Sequence, residues 1–375
     1  MSEKRNIFEE VGEKQDATPI VKKPKRVPRN AITAWLGMIF ALLVIMIAVG
    51  GLTRLTDSGL SITEWKPVTG AIPPLNGADW AEEFTKYQAT PEFLLQNSTM
   101  TLEEFKGIFW WEWGHRFLGR LIGLVWAIGF IWFWVRKEIP TGWTGRFVGL
   151  GALGGLQGAL GYWMVSSGLT GRMVDVASYR LALHLGMAFV ILGLITWYVL
   201  NLRMSSAELL QARRRREHSL MRLSSILMAL LFAQVLLGGL VAGIDAGRSF
   251  PTWPDMAGEF LPSESFAYVP LWSNFFENPA LVQFNHRLLG YIALALGLFV
   301  WWKSRKSPLG ATRGAFMVMM VMMLAQVVLG IITVLYLAQM HIALTHQLGA
   351  VLLFVLAIRA RFAAAYPAEQ KIARG

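Results

Sequence analysis

Apolar residues fall in long runs, broken at near-regular intervals by polar and charged ones. About 20 apolar residues are what a helix needs to cross about 30 Å of hydrocarbon. In lipid, the backbone amides of such a run must bond within their own helix. The pattern predicts spans over 32–52, 110–135, 147–166, 179–200, 223–243, 283–302, 314–336 and 342–360. The chain therefore reads as an all-α integral membrane protein with eight transmembrane helices. The connections alternate in character. Residues 1–30, 136–146, 203–222, 303–313 and 359–375 hold 25 of the 35 Lys and Arg. Basic connections stay in the cytoplasm, which predicts that both termini lie inside. The outer connections differ. The first, 53–109, is long and carries "TEWKPVTG" and the amphipathic piece "DWAEEFTKYQ". The third, 244–282, holds Pro251, Pro254, Pro262, Pro270 and Pro279. Loops this long are functional lids or disordered. Trp110, Trp111 and Trp113 read as anchors in the outer aromatic belt.

Composition agrees with the pattern: 54% of residues are hydrophobic and 16% charged, against about 25% charged in soluble domains. The net charge of +11 is accounted for by orientation, so no nucleic-acid partner is needed. Arg213–Arg216 reads as a solvated loop. Residues 1–30 mix Lys and Arg with Glu3, Glu9, Glu10, Glu13 and Asp16. That suits neither a secretory signal nor a transit peptide, so a cytoplasmic tail and an uncleaved first span are expected. There are no cysteines. This removes disulfides, thiolate metal sites, iron–sulfur clusters and covalently attached heme. Redox chemistry would need a bound cofactor.

The second half echoes the first. "HRFLGR" at 115–120 matches "HRLLGY" at 286–291, and "HLG" at 184–186 matches "HQLG" at 346–349. "QGALG" at 157–161 matches "QVVLG" at 326–330, and "QVLLG" at 234–238 shares the pattern. "GGLTRLTDSG" at 50–59 has a looser echo at 238–247. The matched histidines are 171 and 162 residues apart. The repeats predict two pseudo-symmetric four-helix bundles, 31–202 and 223–360, joined by a basic linker 203–222 and followed by a tail 361–375. Parity then brings spans 2, 4, 6 and 8 in from outside, with His115, His184, His286 and His346 all near the outer leaflet.

Ionisable groups inside spans default to a functional hypothesis. A zinc or copper site usually takes three or four close ligands, and only two histidines stand in each half. A proton pathway would want charges deeper in the spans. Heme fits best, because two imidazoles from opposite helices can take both axial positions of one iron. Gly119 and Gly290 each follow a histidine by four residues, on the same helix face. There a glycine would let a flat macrocycle approach the backbone. Arg116, Arg120 and Arg287 could pair with heme propionates or reach for lipid headgroups. His218 reads as solvated, His341 has no counterpart, and the methionines of "FMVMMVMML" read as packing residues. One difference between the halves is chemical. Glu112 lies three residues before His115, on the same face, and the second half has Gln283 there. A catalytic site wants a proton acceptor or a charge near the reacting carbon, whereas an electron-transfer site does not. Glu112 either serves that chemistry or merely pairs with Arg116 or Arg120.

The stretches "GGLTRLTDSGLSITEWKPVTG" at 50–70, "EFKGIFWWEWGHRFLGR" at 104–120, "HLG" at 184–186, "NHRLLGY" at 285–291 and "THQLGA" at 345–350 resemble the heme A synthase family. The likeness is to its cysteine-free form of alphaproteobacteria and mitochondria. It spans essentially the whole chain after residue 30. Relatives of another subgroup carry cysteine pairs in the outer loops, and this chain does not. The resemblance implies an oxidoreductase of the bacterial inner membrane that converts heme O to heme A, oxidising one ring methyl to a formyl through hydroxylated intermediates. It implies heme B as cofactor on His286 and His346, with Arg287 and Gly290 beside it. It implies a substrate site at His115 and His184, with Glu112 as a catalytic neighbour. A heme O-forming farnesyl transferase and cytochrome oxidase assembly factors are implied partners. An electron donor is required as well, and a homo-oligomer is compatible. Two other classes are open: a diheme electron carrier, which would hold heme B alone, and a heme transporter or chaperone, which would bind heme O without changing its mass.

Overall fold

The computed structural model describes residues 29–169 and 174–368. Of the expected tail 1–30 all but Arg29 and Asn30 lies outside the described residues, whereas 361–365 of the expected tail 361–375 belong to the last helix. In chain order the helices are α1 (Arg29–Leu55), α2 (Gly77–Gln88), α3 (Pro91–Leu95), α4 (Leu102–Val135), α5 (Thr144–Gly168) and α6 (Ser178–Leu202). They continue with α7 (Ser206–Arg214), α8 (His218–Gly243), α9 (Asn274–Glu277), α10 (Pro279–Ser304), α11 (Gly310–Leu335) and α12 (Met340–Ala365). Eight of them have 25 to 34 residues. At 1.5 Å per residue, about 25 residues give roughly 38 Å, more than the hydrocarbon needs. Among the described residues, seven are long and apolar enough to cross a membrane: α1, α4, α6, α8, α10, α11 and α12. The chain is thus an all-α, multi-pass membrane protein. The exception, α5, was expected as a span at 147–166. Glycines such as Gly149, Gly151, Gly154, Gly155 and Gly158 dilute its hydropathy.

Local sequence sets the helix ends. Thr101 and Glu104 form a capping box that starts α4, eight residues before the expected span. The two extra turns pack against the long connection that precedes them. Asn278 caps α10 with Pro279 in its first turn, the place where a missing amide hydrogen costs least. The basic connection 203–222 is not all loop. Ser205 and Glu208 form a second capping box on α7, and His218 already belongs to α8.

Helices α1, α4, α5 and α6 form one ring of contacts: α4 on α1 and α5, α5 on α6, α6 on α1. The ring of α8, α10, α11 and α12 has the matching set: α10 on α8 and α11, α11 on α12, α12 on α8. The rings meet where α1 touches α12, α6 touches α8, and α6 touches α12. A continuous apolar core runs through this junction, with Leu36, Phe189, Leu192, Ile195, Leu227, Phe354 and Ile358 buried in it. The α6–α8 contact depends on glycine. A Cβ on Gly239 would stand 2.9 Å from the Ala182 Cα, and one on Gly243 would stand 2.7 Å from the Ser178 Cα. Small residues at such crossings let backbones approach in lipid. At the other junction the Gln347 amide donates to the Ile47 carbonyl at 2.9 Å. Arg54 joins the rings near their outer ends, donating to Asp57 at 2.6 Å and to Asp245 at 2.7 Å.

The long outer connections are ordered caps. In the first, α2 and α3 fold onto the extended start of α4 around Tyr87, Phe93, Phe105 and Phe109, with Trp80 and Phe84 against them. Trp110 lies edge-on to Trp80, and Trp113 stacks on Phe117. These tryptophans therefore pack against the cap and α4 as well as facing outward. In the second cap, Asn278 and Asn274 bond to each other and to backbone carbonyls of the loop.

Candidate functional site

Each ring of helices brings two histidines together across its diagonal. His115 on α4 and His184 on α6 have ring centroids 6.3 Å apart, at an interplanar angle of 74°. His286 on α10 and His346 on α12 repeat this at 6.5 Å and 78°. A metal–imidazole bond is about 2 Å, and the ring centre lies roughly 1 Å beyond the nitrogen. Two imidazoles on opposite sides of one metal ion would thus have centroids about 6 Å apart. Both pairs match that spacing, so the residues present fit an iron porphyrin held between them.

Each imidazole also rests on a glycine of the neighbouring helix. A Cβ on Gly50 would meet the His115 ring at 3.1 Å. On Gly161 it would meet His184 at 3.0 Å, on Gly238 His286 at 3.2 Å, and on Gly330 His346 at 3.1 Å. These are tighter than ordinary contacts, so no side chain fits there without moving the ring. Four residues before three of these glycines stands a glutamine. Gln157 donates to the His184 carbonyl at 3.0 Å, Gln234 to the His286 carbonyl at 2.8 Å, and Gln326 to the His346 carbonyl at 2.8 Å. The same amide nitrogens lie 3.3, 3.1 and 3.3 Å from the Nδ1 atoms of those rings. All three glutamine Oε1 atoms are buried without a partner. The fourth place is held by Met46. The sequence shows the motifs that contain these residues without marking what they hold. The thrice-written Gln-x-x-x-Gly was the available signal. Gly119 and Gly290 do lie on the ligand helices. Added Cβ atoms there would meet Met46 Cε at 3.2 Å and Gln234 Nε2 at 3.3 Å.

Glu112 is buried, at 2% exposure, and both oxygens are occupied. Oε1 accepts from Arg116 Nε at 3.0 Å and Nη2 at 2.6 Å. Oε2 accepts from the Ser61 hydroxyl and the Ile62 amide, each at 2.7 Å. Glu112 therefore pairs with Arg116 and not with Arg120. Arg116 also donates to the Ile62 and Glu64 carbonyls at 2.7 and 3.0 Å. The carboxylate and guanidinium together clamp the first outer cap to α4. The second half has the same clamp without the charge. Gln283 Oε1 accepts from Arg287 Nη2 at 2.8 Å, and Gln283 Nε2 donates to the Ala246 carbonyl at 2.7 Å. Arg287 further binds the carbonyls of Phe250, Thr252 and Asp255.

The cap holds a second buried carboxyl. Glu92 on α3 is 3% exposed, and its Oε2 has no partner. Burial pushes it up to about 8, helped by the negative charges of Asp175, Glu112 and Asp57 and opposed by Arg54. At the cap surface Glu64 moves the other way, held below the usual carboxylate range by Lys66 and Lys86.

Residues 33–358 match the family described as COX15-CtaA, cytochrome oxidase assembly protein. The chain belongs to this family. Over 373 residues it is 59% identical to the heme A synthase of Dinoroseobacter shibae, covering 98% of this chain and 97% of that protein. It is 55% identical to the heme A synthase of Ruegeria pomeroyi, covering 99% and 100%. The heme A synthase of Paracoccus denitrificans is 54% identical, with 98% of each chain covered.

The sequence left Arg116, Arg120 and Arg287 two kinds of partner, heme propionates or lipid headgroups. In the structure all three hold the caps. Arg120 donates to the Lys66 and Pro67 carbonyls at 2.8 and 2.9 Å. Arg116 uses Nε, Nη1 and Nη2 on protein acceptors. Arg120 keeps a buried Nη1, and Arg287 a buried Nε, without partners. Of the remaining histidines, His341 is exposed at the start of α12 and His218 begins α8.

Proposed function

We propose that this chain is an oxidoreductase that converts heme O to heme A, oxidising one ring methyl to a formyl group for cytochrome oxidase assembly. Identity of 59% over nearly the whole length to a heme A synthase carries the reading. The two imidazole pairs, at 6.3 and 6.5 Å, supply a place for the porphyrin chemistry. In the same reading α5 completes eight spans, both termini are cytoplasmic, and the two helix rings are pseudo-symmetric halves. The matching contact sets and the four imidazole–glycine contacts support that symmetry.

The N-terminal half takes heme O between His115 and His184, and the C-terminal half holds heme B between His286 and His346. Heme B, when bound, supplies a one-electron relay for the oxidation. The buried Arg120 Nη1 and Arg287 Nε are unpartnered donors that would serve propionate oxygens, and Arg116 acts through Glu112 instead. The sequence left Glu112 two roles, proton acceptor or stabiliser of positive charge. Four donors already occupy both oxygens of its carboxylate, which favours the second. The difference between Glu112 and Gln283 makes the N-terminal half the reacting one. A heme O-forming farnesyl transferase on the supply side and oxidase assembly factors on the product side are the partners this activity requires.

Membranes containing the protein, supplied with heme O and then extracted, should yield heme A by mass. Recovery of bound but unchanged heme O would make the protein a transporter or chaperone. Heme B alone would make it an electron carrier.

A further inference from the structure

Three of the four imidazoles are secured twice. Each sits on a glycine, and each has a glutamine amide bonded to its own backbone carbonyl and lying against its Nδ1. The amide stands on the same helix as the glycine, one turn before it. Carbonyl, ring and glycine are thereby fixed as one unit. His115 has the glycine, Gly50, but Met46 stands where the amide would be. The correspondence is spatial as well as sequential. Four residues beyond His286, the place of a Gly290 Cβ adjoins the Gln234 amide; four residues beyond His115, the place of a Gly119 Cβ adjoins the Met46 methyl. A thioether has no hydrogen to donate and at best accepts weakly.

The two halves therefore differ in how firmly they hold an imidazole. Both rings of the C-terminal pair are held by amides, and only one ring of the N-terminal pair is. A resident cofactor calls for two fixed ligands. A substrate that arrives and leaves each cycle calls for one that yields. We propose that Gln157, Gln234 and Gln326 are positioning residues for their imidazoles, and that Met46 leaves His115 as the exchangeable ring of the substrate site. This rests on the assignment of heme to both pairs. It adds which axial side opens, and it explains without reference to Glu112 why the N-terminal half is the one that turns over.

The test uses the purified full-length protein in lipid nanodiscs, loaded with ferric heme B in both halves and mixed with excess apomyoglobin as scavenger. Release is followed at the Soret band, and electron paramagnetic resonance of the loaded protein reports imidazole geometry. Wild type should release heme in two phases. Met46→Gln should slow the fast phase about fivefold to tenfold, the size of one added hydrogen bond, and leave the slow phase alone. Met46→Leu, which adds no donor, should leave both phases unchanged and controls for packing. Gln234→Met should speed only the slow phase by a similar factor and shift the low-spin signal of the C-terminal heme, with partial rescue by Gln234→Asn. Two phases in wild type with Met46→Gln and Gln234→Met both unchanged would overturn the inference alone. Failure of the wild type to bind any heme would overturn the heme assignment, and the inference with it.

Discussion

Glu112→Gln is the sharpest perturbation available, because the second half already contains its product. Gln283 works beside Arg287 since its amide nitrogen finds a carbonyl, that of Ala246, at 2.7 Å. At position 112 the same nitrogen would face two donors, the Ser61 hydroxyl and the Ile62 amide. Ser61 can rotate and accept, but Ile62 cannot. One buried N–H is then left unpaired, which costs about 1–3 kcal/mol. Arg116, only 14% exposed, loses its counter-charge, and breaking a partly buried pair costs a few kcal/mol more at the upper limit. Arg116 keeps the Ile62 and Glu64 carbonyls, so the total should fall near 2–4 kcal/mol. That loss should be local, because the clamp connects one cap to one helix. Hydrogen exchange should quicken across residues 56–101 with no change across 244–278. The heme B spectrum should persist, and the heme A yield should drop at least tenfold. Unchanged exchange in the first cap together with wild-type heme A yield would refute both the clamp and the catalytic role. Quickened exchange with normal yield would leave Glu112 a purely structural residue.

Two further outcomes follow from the geometry. Gly330→Ala puts a methyl 3.1 Å from the His346 ring, so the heme B Soret and its low-spin signal should shift or weaken. Gly158→Ala, which meets nothing within 4 Å, should leave both as in wild type, and equal spectra for the two variants would remove the glycine rest from the account. Glu92 has its folded value raised to about 8, against about 4.3 for a free Glu. The folded cap holds a proton that the unfolded cap gives up between those values. Stability is therefore full below about pH 4.3 and falls toward pH 8, by at most about 1.4 kcal/mol per pH unit. Thermal melting of the cap, followed by limited proteolysis at pH 6 and pH 8.5, should show this loss in wild type and not in Glu92→Gln. Equal pH dependence in the two proteins would contradict it.

Much of this was legible in the sequence, and the gaps have physical reasons. The histidine pairs follow from parity plus a repeat, because matched motifs on spans of one orientation must lie at one depth. The span positions follow from hydropathy, and a helix stands at each, although glycines such as Gly154 and Gly158 leave α5 less apolar than the other seven. The extended start of α4 was written in "TLEE" at 101–104, a capping-box pattern, but lay outside the apolar run used to set the span. The arginine roles were not legible. Arg116, Arg120 and Arg287 bind backbone carbonyls of distant loops, and any residue can offer a carbonyl, so sequence carries no mark of the acceptor. The glutamines were partly legible: Gln-x-x-x-Gly occurs three times, while Met46 breaks the fourth copy and hides the rule. Glu92 gave no signal at all, since its burial depends on how α2 and α3 fold over α4.

The central claim is that each histidine pair grips a porphyrin, with the resident one in the C-terminal half. The most direct test is to extract and weigh the hemes bound to His286→Ala and to His115→Ala, purified from cells that also make heme O. The account predicts that His286→Ala loses heme B, whereas His115→Ala keeps heme B and loses heme O and heme A. Loss of heme B from His115→Ala with retention in His286→Ala would reverse the halves, and unaltered heme content in both would contradict ligation by these pairs.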